Sequence, residues 1–192
     1  MPAIEWTTPN FIQKSLGPGS DLSAMQSWLA DAELMRSLNL PARHLDLNQL
    51  ARYAATFDNE RKYLIGIYEK AQMRLIGYRI LELNPAHRRA NLHLLIAEEQ
   101  YRSRRATDET QVPFYDFVFG TLKVNKLVAE IAAFNERTIR RAESSGYRFE
   151  ARLERELLSH DGTTFVDQVR MALFAEDWAT ARIKTLERLA SH

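Results

Sequence analysis

The sequence predicts a single α+β domain in which helices flank a sheet. In several stretches apolar residues recur at spacings of three and four, as on one face of a helix, whereas other stretches are short β-branched or apolar runs typical of strands. No repeat, low-complexity tract or Pro- and Gly-rich linker separates them. We therefore expect one domain over residues 1–192, with its core at about 10–178 and a C-terminal helix at about 176–190.

Composition and charge restrict the class of protein. The chain has 192 residues, 45% hydrophobic and 27% charged, which suits one well-cored globular domain. Its 26 basic and 25 acidic residues give a net charge of +1, so no overall field attracts nucleic acid or an anionic membrane. The absence of cysteine excludes disulfides, thiolate metal sites and a cysteine nucleophile. We expect a cytoplasmic protein, because no apolar run approaches the roughly 20 residues of a membrane-spanning helix and no signal peptide is evident.

The first half of the chain alternates between strand-like and helical patterns. A Gly-Pro-Gly turn follows the first strand, and Ser20 or Asp21 is expected to cap the helix after it. Strands are predicted at Asn10–Leu16, Tyr63–Tyr68 and Leu75–Leu83, and helices at Leu22–Leu38 and Leu47–Phe57.

The second half contains a central helix between strands, then a hairpin and a last helix. Asn135 is a typical helix N-cap, and Gly146 lies where a helix end favours a left-handed residue. Strands are predicted at Arg89–Ala97, Lys126–Ala132, Arg148–Leu158 and Thr164–Phe174, and helices at Val112–Phe119, Asn135–Ser145 and Glu176–Ala190.

One stretch carries the strongest functional signal. The apolar strand Asn91–Ala97 leads into a polar turn, Glu98–Thr107, that contains three arginines and precedes a helix. A basic turn at a helix N-terminus favours an anion, usually a phosphate, because free N–H groups and the helix dipole point toward it. Two other interpretations are a solvated surface turn and a nucleic-acid contact. A nucleic-acid partner is not expected, since only Tyr101 lies nearby to stack on bases.

Four segments in this order resemble a known family. They are YLIGIY with LIGYRI, DFVFGTLKVNKLVAEI, NERTIRRAESSGYRFEARL and DGTTFVDQVRMALFAEDW, and the likeness extends from Phe11 to Trp178. The chain resembles the GNAT fold of acetyl-CoA-dependent N-acetyltransferases, whose sheet is mixed and mostly antiparallel. Within that fold it is most similar to the branch of ribosomal-protein N-terminal acetyltransferases, which act on alanine or serine.

The resemblance implies that acetyl-CoA is the co-substrate. Its pantetheine would pair with the splayed strand end and its pyrophosphate would lie over the turn, which in the family reads Arg or Gln, two residues, Gly, one residue, Gly or Ala. Arg105 and Thr107 replace the small residues here, and extra guanidinium groups can hold phosphate directly. The cofactor-binding residues implied are Leu95, Ile96, Ala97, Arg102, Arg104, Arg105, Ala106, Thr107 and Asn135.

Acetyl transfer needs a base that takes a proton from the attacking amine. Glu98 and Glu99 are the first candidates because they follow the central strand, and His93 is a third, on the same strand face as Leu95 and Ala97. The carboxylates could instead balance the arginines, and the histidine could be a core residue. Ala142 stands where many family members have a tyrosine that acts as general acid, and Tyr147 is expected in the core.

The expected function is N-acetyl transfer to a primary amine, directly within a ternary complex and without a metal. The acceptor classes that stay open are a protein N-terminus, an amino sugar and a small amine, and acyl length and homodimer formation are equally open. The alternative is a catalytically silent binding or interaction module, because Arg105 and Ala142 replace the family's usual residues.

Overall fold

The computed structural model describes residues 3–102 and 104–191, without the side chain of Arg104. Within these ranges the chain forms eight strands and six α-helices, and none of the helices is long and apolar enough to cross a membrane. The strands are β1 Glu5–Thr7, β2 Phe11–Ser15, β3 Lys62–Glu69, β4 Arg74–Asn84, β5 Arg89–Ile96, β6 Lys126–Ala132, β7 Arg148–Leu158 and β8 Phe165–Phe174. The helices are α1 Ser23–Ala30, α2 Ala32–Ser37, α3 Leu47–Ala54, α4 Arg104–Tyr115, α5 Glu136–Ser144 and α6 Ala175–Ala190.

The eight strands form one sheet in the order β1-β2-β3-β4-β5-β6-β8-β7. All neighbouring strands are antiparallel except β5 and β6, which are parallel. This confirms the predicted α+β class with a mixed, mostly antiparallel sheet. Parallel neighbours need a crossover connection, and α4 provides it between β5 and β6.

Helices cover both faces of the sheet, and β3 shows why. Tyr63 and Ile65 pack with α4 and α6 on one face, whereas Leu64 packs with α1, α2 and α3 on the other. Successive side chains of a strand point to opposite faces. A strand that is buried on both faces therefore needs apolar residues at successive positions, which explains the continuous apolar run YLIGIY in β3.

The main differences between the predicted boundaries and the structure are five. The helix expected over Leu22–Leu38 is two helices, because Asp31 accepts hydrogen bonds from Glu33 N and Leu34 N and starts α2. The N-cap of α1 is Leu22, with no side-chain cap, although Asp21 accepts from Ser23 N. β1 was not predicted, α3 ends at Ala54, and α4 begins at Arg104, inside the predicted turn.

Buried polar contacts hold α4 against the sheet. Arg79 is 1% exposed; it donates to Gln13 Oε1 and, at 2.8 Å, to Thr110 Oγ1. Burial lowers its pKa to about 10, so it keeps its charge at neutral pH. Gln13 Nε2 also donates to the carbonyl oxygen of Thr110, and Glu109 accepts two bonds from Asn10. Because buried polar groups are costly unless paired, these contacts fix the position of α4 on the sheet.

The buried pair Tyr115 and Tyr147, whose hydroxyl oxygens lie 3.1 Å apart, predicts alkaline destabilisation. Burial raises the pKa of both phenols above the ordinary value of 10.0. The folded protein keeps these protons where the unfolded chain has lost them, so the free energy of unfolding should fall as pH rises above about 10. Urea unfolding between about pH 8 and pH 11 measures this fall, and Tyr147→Phe should reduce its slope. An equal slope in the variant would contradict the assignment.

Candidate active site

A groove opens in the sheet where β5 and β6 separate. Within the described ranges their ladder contains three residue pairs and ends at Asn91 and Val128. β5 continues along β4 to Ile96, while β6 continues along β8 to Ala132. The inner edges of the two strands border this β5–β6 groove. Such edges present backbone N–H and C=O groups to an extended ligand.

The end of β5 bends where it passes Gly77. The backbone N–H groups of Ala97 and Glu98 both donate to Ile76 O, at 2.9 and 3.3 Å. A Cβ on residue 77 would lie 2.2 Å from Leu95 O, so this close backbone approach needs glycine. The bend directs Glu98 toward α1.

Glu98 is held by side chains from two other elements. Trp28 Nε1 of α1 donates to Oε1 at 3.4 Å, and Arg74 of β4 lies 3.8 Å from Oε2. The Trp28 ring stacks on Tyr78, with centroids 6.4 Å apart and planes at 25°. The Glu98 side chain is 32% exposed. A carboxylate that is oriented in this way and reached by solvent can accept a proton from a bound amine.

The other two predicted bases are more exposed. Glu99 begins a short 3-10 turn, and its side chain is exposed. His93 lies opposite Ile80, on the sheet face that α1, α2 and α3 cover, and it is exposed. His93 is therefore not a buried core residue. Of the three candidates, Glu98 has the most contacts that orient its side chain.

The predicted phosphate turn is partly helical, because Arg105, Ala106 and Thr107 lie in the first turn of α4. Ala106 and Thr107 are buried and Arg105 is exposed. Arg105 borders a cavity of about 260 Å³ on the β2–β3 side, together with Asn10, Phe11, Glu69 and Tyr101. Neither Arg105 nor Thr107 has a positive φ, so a Cβ is accommodated without strain. The side chain of Arg104 lies outside the described part of the chain.

Arg102 covers the end of β5. Its Nε donates to Ile96 O at 3.1 Å and its guanidinium to Ala97 O at 2.5 Å. Leu95 O and Ala97 N, on either side of Ile96, lie toward β4. Since backbone direction alternates along a strand, Ile96 O faces the β5–β6 groove. The last two predicted pantetheine positions are thus bonded to an arginine.

Asn135 joins the helices of the two sheet faces at the open end of the groove. Its Oδ1 accepts from Thr138 N at 3.1 Å, which confirms the predicted cap of α5. Its Nδ2 donates to Ser37 O at the end of α2, at 3.2 Å. The cofactor contact that the resemblance implies for Asn135 stays a prediction.

A cavity of about 480 Å³ lies between α2 and the β7–β8 turn. Its wall includes Ser37, whose carbonyl oxygen accepts the hydrogen bond from the Asn135 amide, and Phe134, which precedes Asn135 in the chain. The cavity therefore adjoins the groove. Its charged or titratable wall residues are Glu33, Arg36, His160 and Asp161. Hydrogen bonds from Ser159 and Thr163 lower the pKa of Asp161 to about 2.

Asn39 fastens α2 to the β7–β8 turn at the rim of this cavity. It has a φ of 55°, donates to Leu158 O and accepts from His160 N, both at 2.9 Å. Asparagine tolerates the left-handed region better than most residues. The contact holds the two walls of the cavity together.

The family's general-acid position is occupied by Ala142, and Tyr147 was expected in the core. Ala142 lacks a donor group, and Tyr147 is 6% exposed and bonded to Tyr115, as expected of a core residue. Tyr78, however, lies beside Trp28, and burial raises its pKa to about 12, so it stays protonated at neutral pH. The sequence did not single out Tyr78, because a tyrosine in a strand is typical of a core residue.

These parts lie together and suit one kind of chemistry. A groove with a backbone edge, a helix N-terminus preceded by Arg102 and an oriented carboxylate are typical of a transferase that holds a long anionic donor. The adjoining cavity has room for a second substrate.

Comparisons with known proteins agree with this class. Residues 17–148 match the family model described as "Acetyltransferase (GNAT) domain". The chain therefore belongs to the GNAT acetyltransferase family and is an acetyltransferase. A comparison of the sequence with curated proteins found no match.

Solved structures share the fold at low sequence identity. A GCN5-related N-acetyltransferase from Brucella melitensis has a TM-score of 0.81 and 14% identity, covering 98% of this chain and 86% of its own. A spermidine N-acetyltransferase from Vibrio cholerae, in complex with CoA and spermine, has a TM-score of 0.77 and 19% identity, and the match covers 88% of this chain and 98% of that one. A ribosomal-protein-S5-alanine acetyltransferase from Vibrio fischeri has a TM-score of 0.77 and 10% identity, and the match covers 91% of this chain and 98% of that one. The predicted GNAT fold is confirmed, and the ribosomal-protein branch is one of several neighbours.

Proposed function

We propose that this protein transfers an acetyl group from acetyl-CoA directly to a primary amine in a ternary complex, and that residues 1–192 act as one domain. The observation that carries the proposal is the position of Glu98. It lies at the bent end of β5, where the β5–β6 groove meets α1, and contacts Trp28 and Arg74. The donor groove and the proton acceptor are thus built from the same strand end.

The residues present fit the proposed cofactor. The Ile96 carbonyl, which lies between Leu95 and Ala97 and faces the groove, would pair with the pantetheine arm, and the Asn135 amide would contact that arm. The N-terminus of α4, together with Arg102, would hold the pyrophosphate. The substituted positions Arg105 and Thr107 do not block it through backbone strain, since neither has a positive φ. When bound, acetyl-CoA supplies an activated thioester carbonyl.

The protein's own residues then manage the protons. Glu98 accepts the proton that the acceptor nitrogen loses, because only a neutral amine attacks a carbonyl. Trp28 and Arg74 keep its carboxylate aimed at the site. Tyr78 packs beside Trp28 and is protonated at neutral pH, and we propose it as the group that protonates the leaving sulfur, a role that Ala142 cannot fill.

We propose that the cavity between α2 and the β7–β8 turn receives the acceptor. Asp161 is ionised at neutral pH and Glu33 supplies a second acidic side chain, which favours a cationic amine. Arg36 in the same wall can bind an acidic group of the acceptor. Protein N-termini, amino sugars and small amines all remain candidates.

Thermal unfolding of the purified protein with acetyl-CoA, CoA or ATP tests the cofactor assignment. A ligand at a hundred times its Kd stabilises by about 2.7 kcal/mol. For a chain of this size that raises Tm by about 5–10 °C. We expect this shift with acetyl-CoA and with CoA, and little with ATP. No shift at millimolar acetyl-CoA would contradict the proposal.

An amine screen then separates the enzyme from the catalytically silent alternative. Spermidine, an amino sugar and a peptide beginning with alanine represent the three acceptor classes, and two of them are named in the structural neighbours. Acetylated product from any of them, seen by mass spectrometry, supports the enzyme. Tight CoA binding without product from a broad amine panel supports the binding module.

A further inference from the structure

We propose that Arg102 and Arg137 form an arginine clasp, and that Arg137 is a phosphate-binding residue of the CoA site. Neither the turn pattern nor the family resemblance singled out Arg137. The inference rests on the proposed function, because it takes the ligand to be a CoA thioester.

The clasp spans the entrance of the β5–β6 groove. Arg137, in the first turn of α5, donates to Arg102 O at 2.8 Å. Arg102 in turn donates to Ile96 O and Ala97 O at the end of β5. One chain of contacts therefore runs from α5, beside β6, through the turn before α4 to β5.

Among the residues that the structure describes, no carboxylate neutralises the two charges of this clasp. Within the described ranges Arg102 and Arg137 take part in no salt bridge and donate to backbone carbonyls only. Arg140, one turn further along α5, pairs with Glu136 at 2.8 Å. A guanidinium gains more from a phosphate than from a neutral carbonyl, since charge-assisted hydrogen bonds are about twice as strong as neutral ones. We therefore expect the two guanidinium groups to leave the backbone carbonyls and bind an anion when one is present.

Two helix N-termini add to this preference. Arg137 lies in the first turn of α5, and Arg102 lies just before α4. The positive ends of both helix dipoles therefore lie near the clasp, where they favour a negative charge. An exposed Arg137 can bind a phosphate from the side of the groove opposite α4.

The clasp also explains how Arg102 can serve a site that it covers. While Arg102 donates a hydrogen bond to Ile96 O, that carbonyl, which faces the groove, is not available to a ligand. A pantetheine arm that pairs with this carbonyl displaces the Arg102 guanidinium toward the turn. There it becomes available to the pyrophosphate, together with Arg137.

Isothermal titration of Arg137→Ala, Arg137→Lys and the matched control Arg140→Ala tests the clasp. Both alanine variants remove one exposed positive charge from α5, but only Arg137 contacts Arg102. We expect Arg137→Ala to weaken CoA binding about tenfold and to reduce the dependence of Kd on KCl concentration. Arg137→Lys should restore part of the affinity, and Arg140→Ala should bind CoA like the natural protein.

Pantetheine, which lacks phosphates, separates phosphate binding from a general effect on the groove. We expect its affinity to be equal in the natural protein and in Arg137→Ala. An equal loss for pantetheine and CoA, or CoA binding unchanged in Arg137→Ala, would overturn the clasp but leave the proposed function intact. If the natural protein bound no CoA, both proposals would fail together.

Discussion

Replacing Glu98 by glutamine is expected to lower kcat by about 10²–10³-fold while acetyl-CoA affinity changes by less than about twofold. General bases commonly contribute 10²–10⁴-fold to rate. Glutamine keeps the shape and can still meet Trp28 or Arg74, but it accepts no proton. Steady-state kinetics with the best acceptor measures kcat and KM separately. A loss confined to kcat identifies an interaction made in the transition state.

Variants at the other two candidates decide which residue is the base. Glu99→Gln and His93→Gln should each cost much less than Glu98→Gln, because both side chains are exposed and less firmly oriented. Glu187→Gln, at an exposed carboxylate on α6, is the matched control for lost charge. A larger loss from Glu99→Gln would move the assignment to Glu99. Full activity in a triple alanine variant at Glu98, Glu99 and His93 would exclude all three.

The second large effect is expected from Gly77→Ala. The added Cβ would lie 2.2 Å from Leu95 O and 3.0 Å from Ile96 Cα, so backbone rather than a flexible side chain must move. Overpacking usually costs 1–3 kcal/mol, and a backbone clash should reach about 3 kcal/mol or more. Tm should fall by about 6–12 °C, as measured by calorimetry. CoA affinity should also fall, because β5 forms one edge of the groove.

Gly120→Ala provides the control for this substitution. A Cβ at Gly120 meets no atom within 4 Å, and its φ is not in the left-handed region. Its stability should therefore change by less than about 1 kcal/mol. If Gly77→Ala unfolded within about 2 °C of the natural protein, the prediction would be wrong, because β5 could then move away from residue 77 at little cost.

Much of the fold could be predicted because local patterns agree with it. β6 was predicted with the bounds that the structure shows, and β3 and β4 within one residue at each end, because their apolar runs lie between strong turn signals. Asn135 and Gly146 have the roles expected of a cap and of a left-handed residue, with a φ of 95° at Gly146. These features depend on neighbours in the chain, which a single sequence displays.

The candidate site was predicted less completely. Glu98 and Arg102 were found because they lie next to a recognisable strand end. Trp28 contacts Glu98 across 70 residues, and Arg137 contacts Arg102 across 35, so no local spacing reveals either pair. Trp28 instead followed the spacing of a core helix, and Arg137 resembled any exposed arginine.

The sequence by itself determined most of the order of strands and helices, the strand end at Glu98 and the basic segment that follows it. Only the tertiary structure decided that β5 and β6 separate after Asn91, that Arg105 borders the β2–β3 side and that Arg102 faces the groove. The physical reason is that helical and strand periodicity arise from bonds between near neighbours. Which strands diverge, and which side chains then meet, depends on packing among residues far apart in the chain.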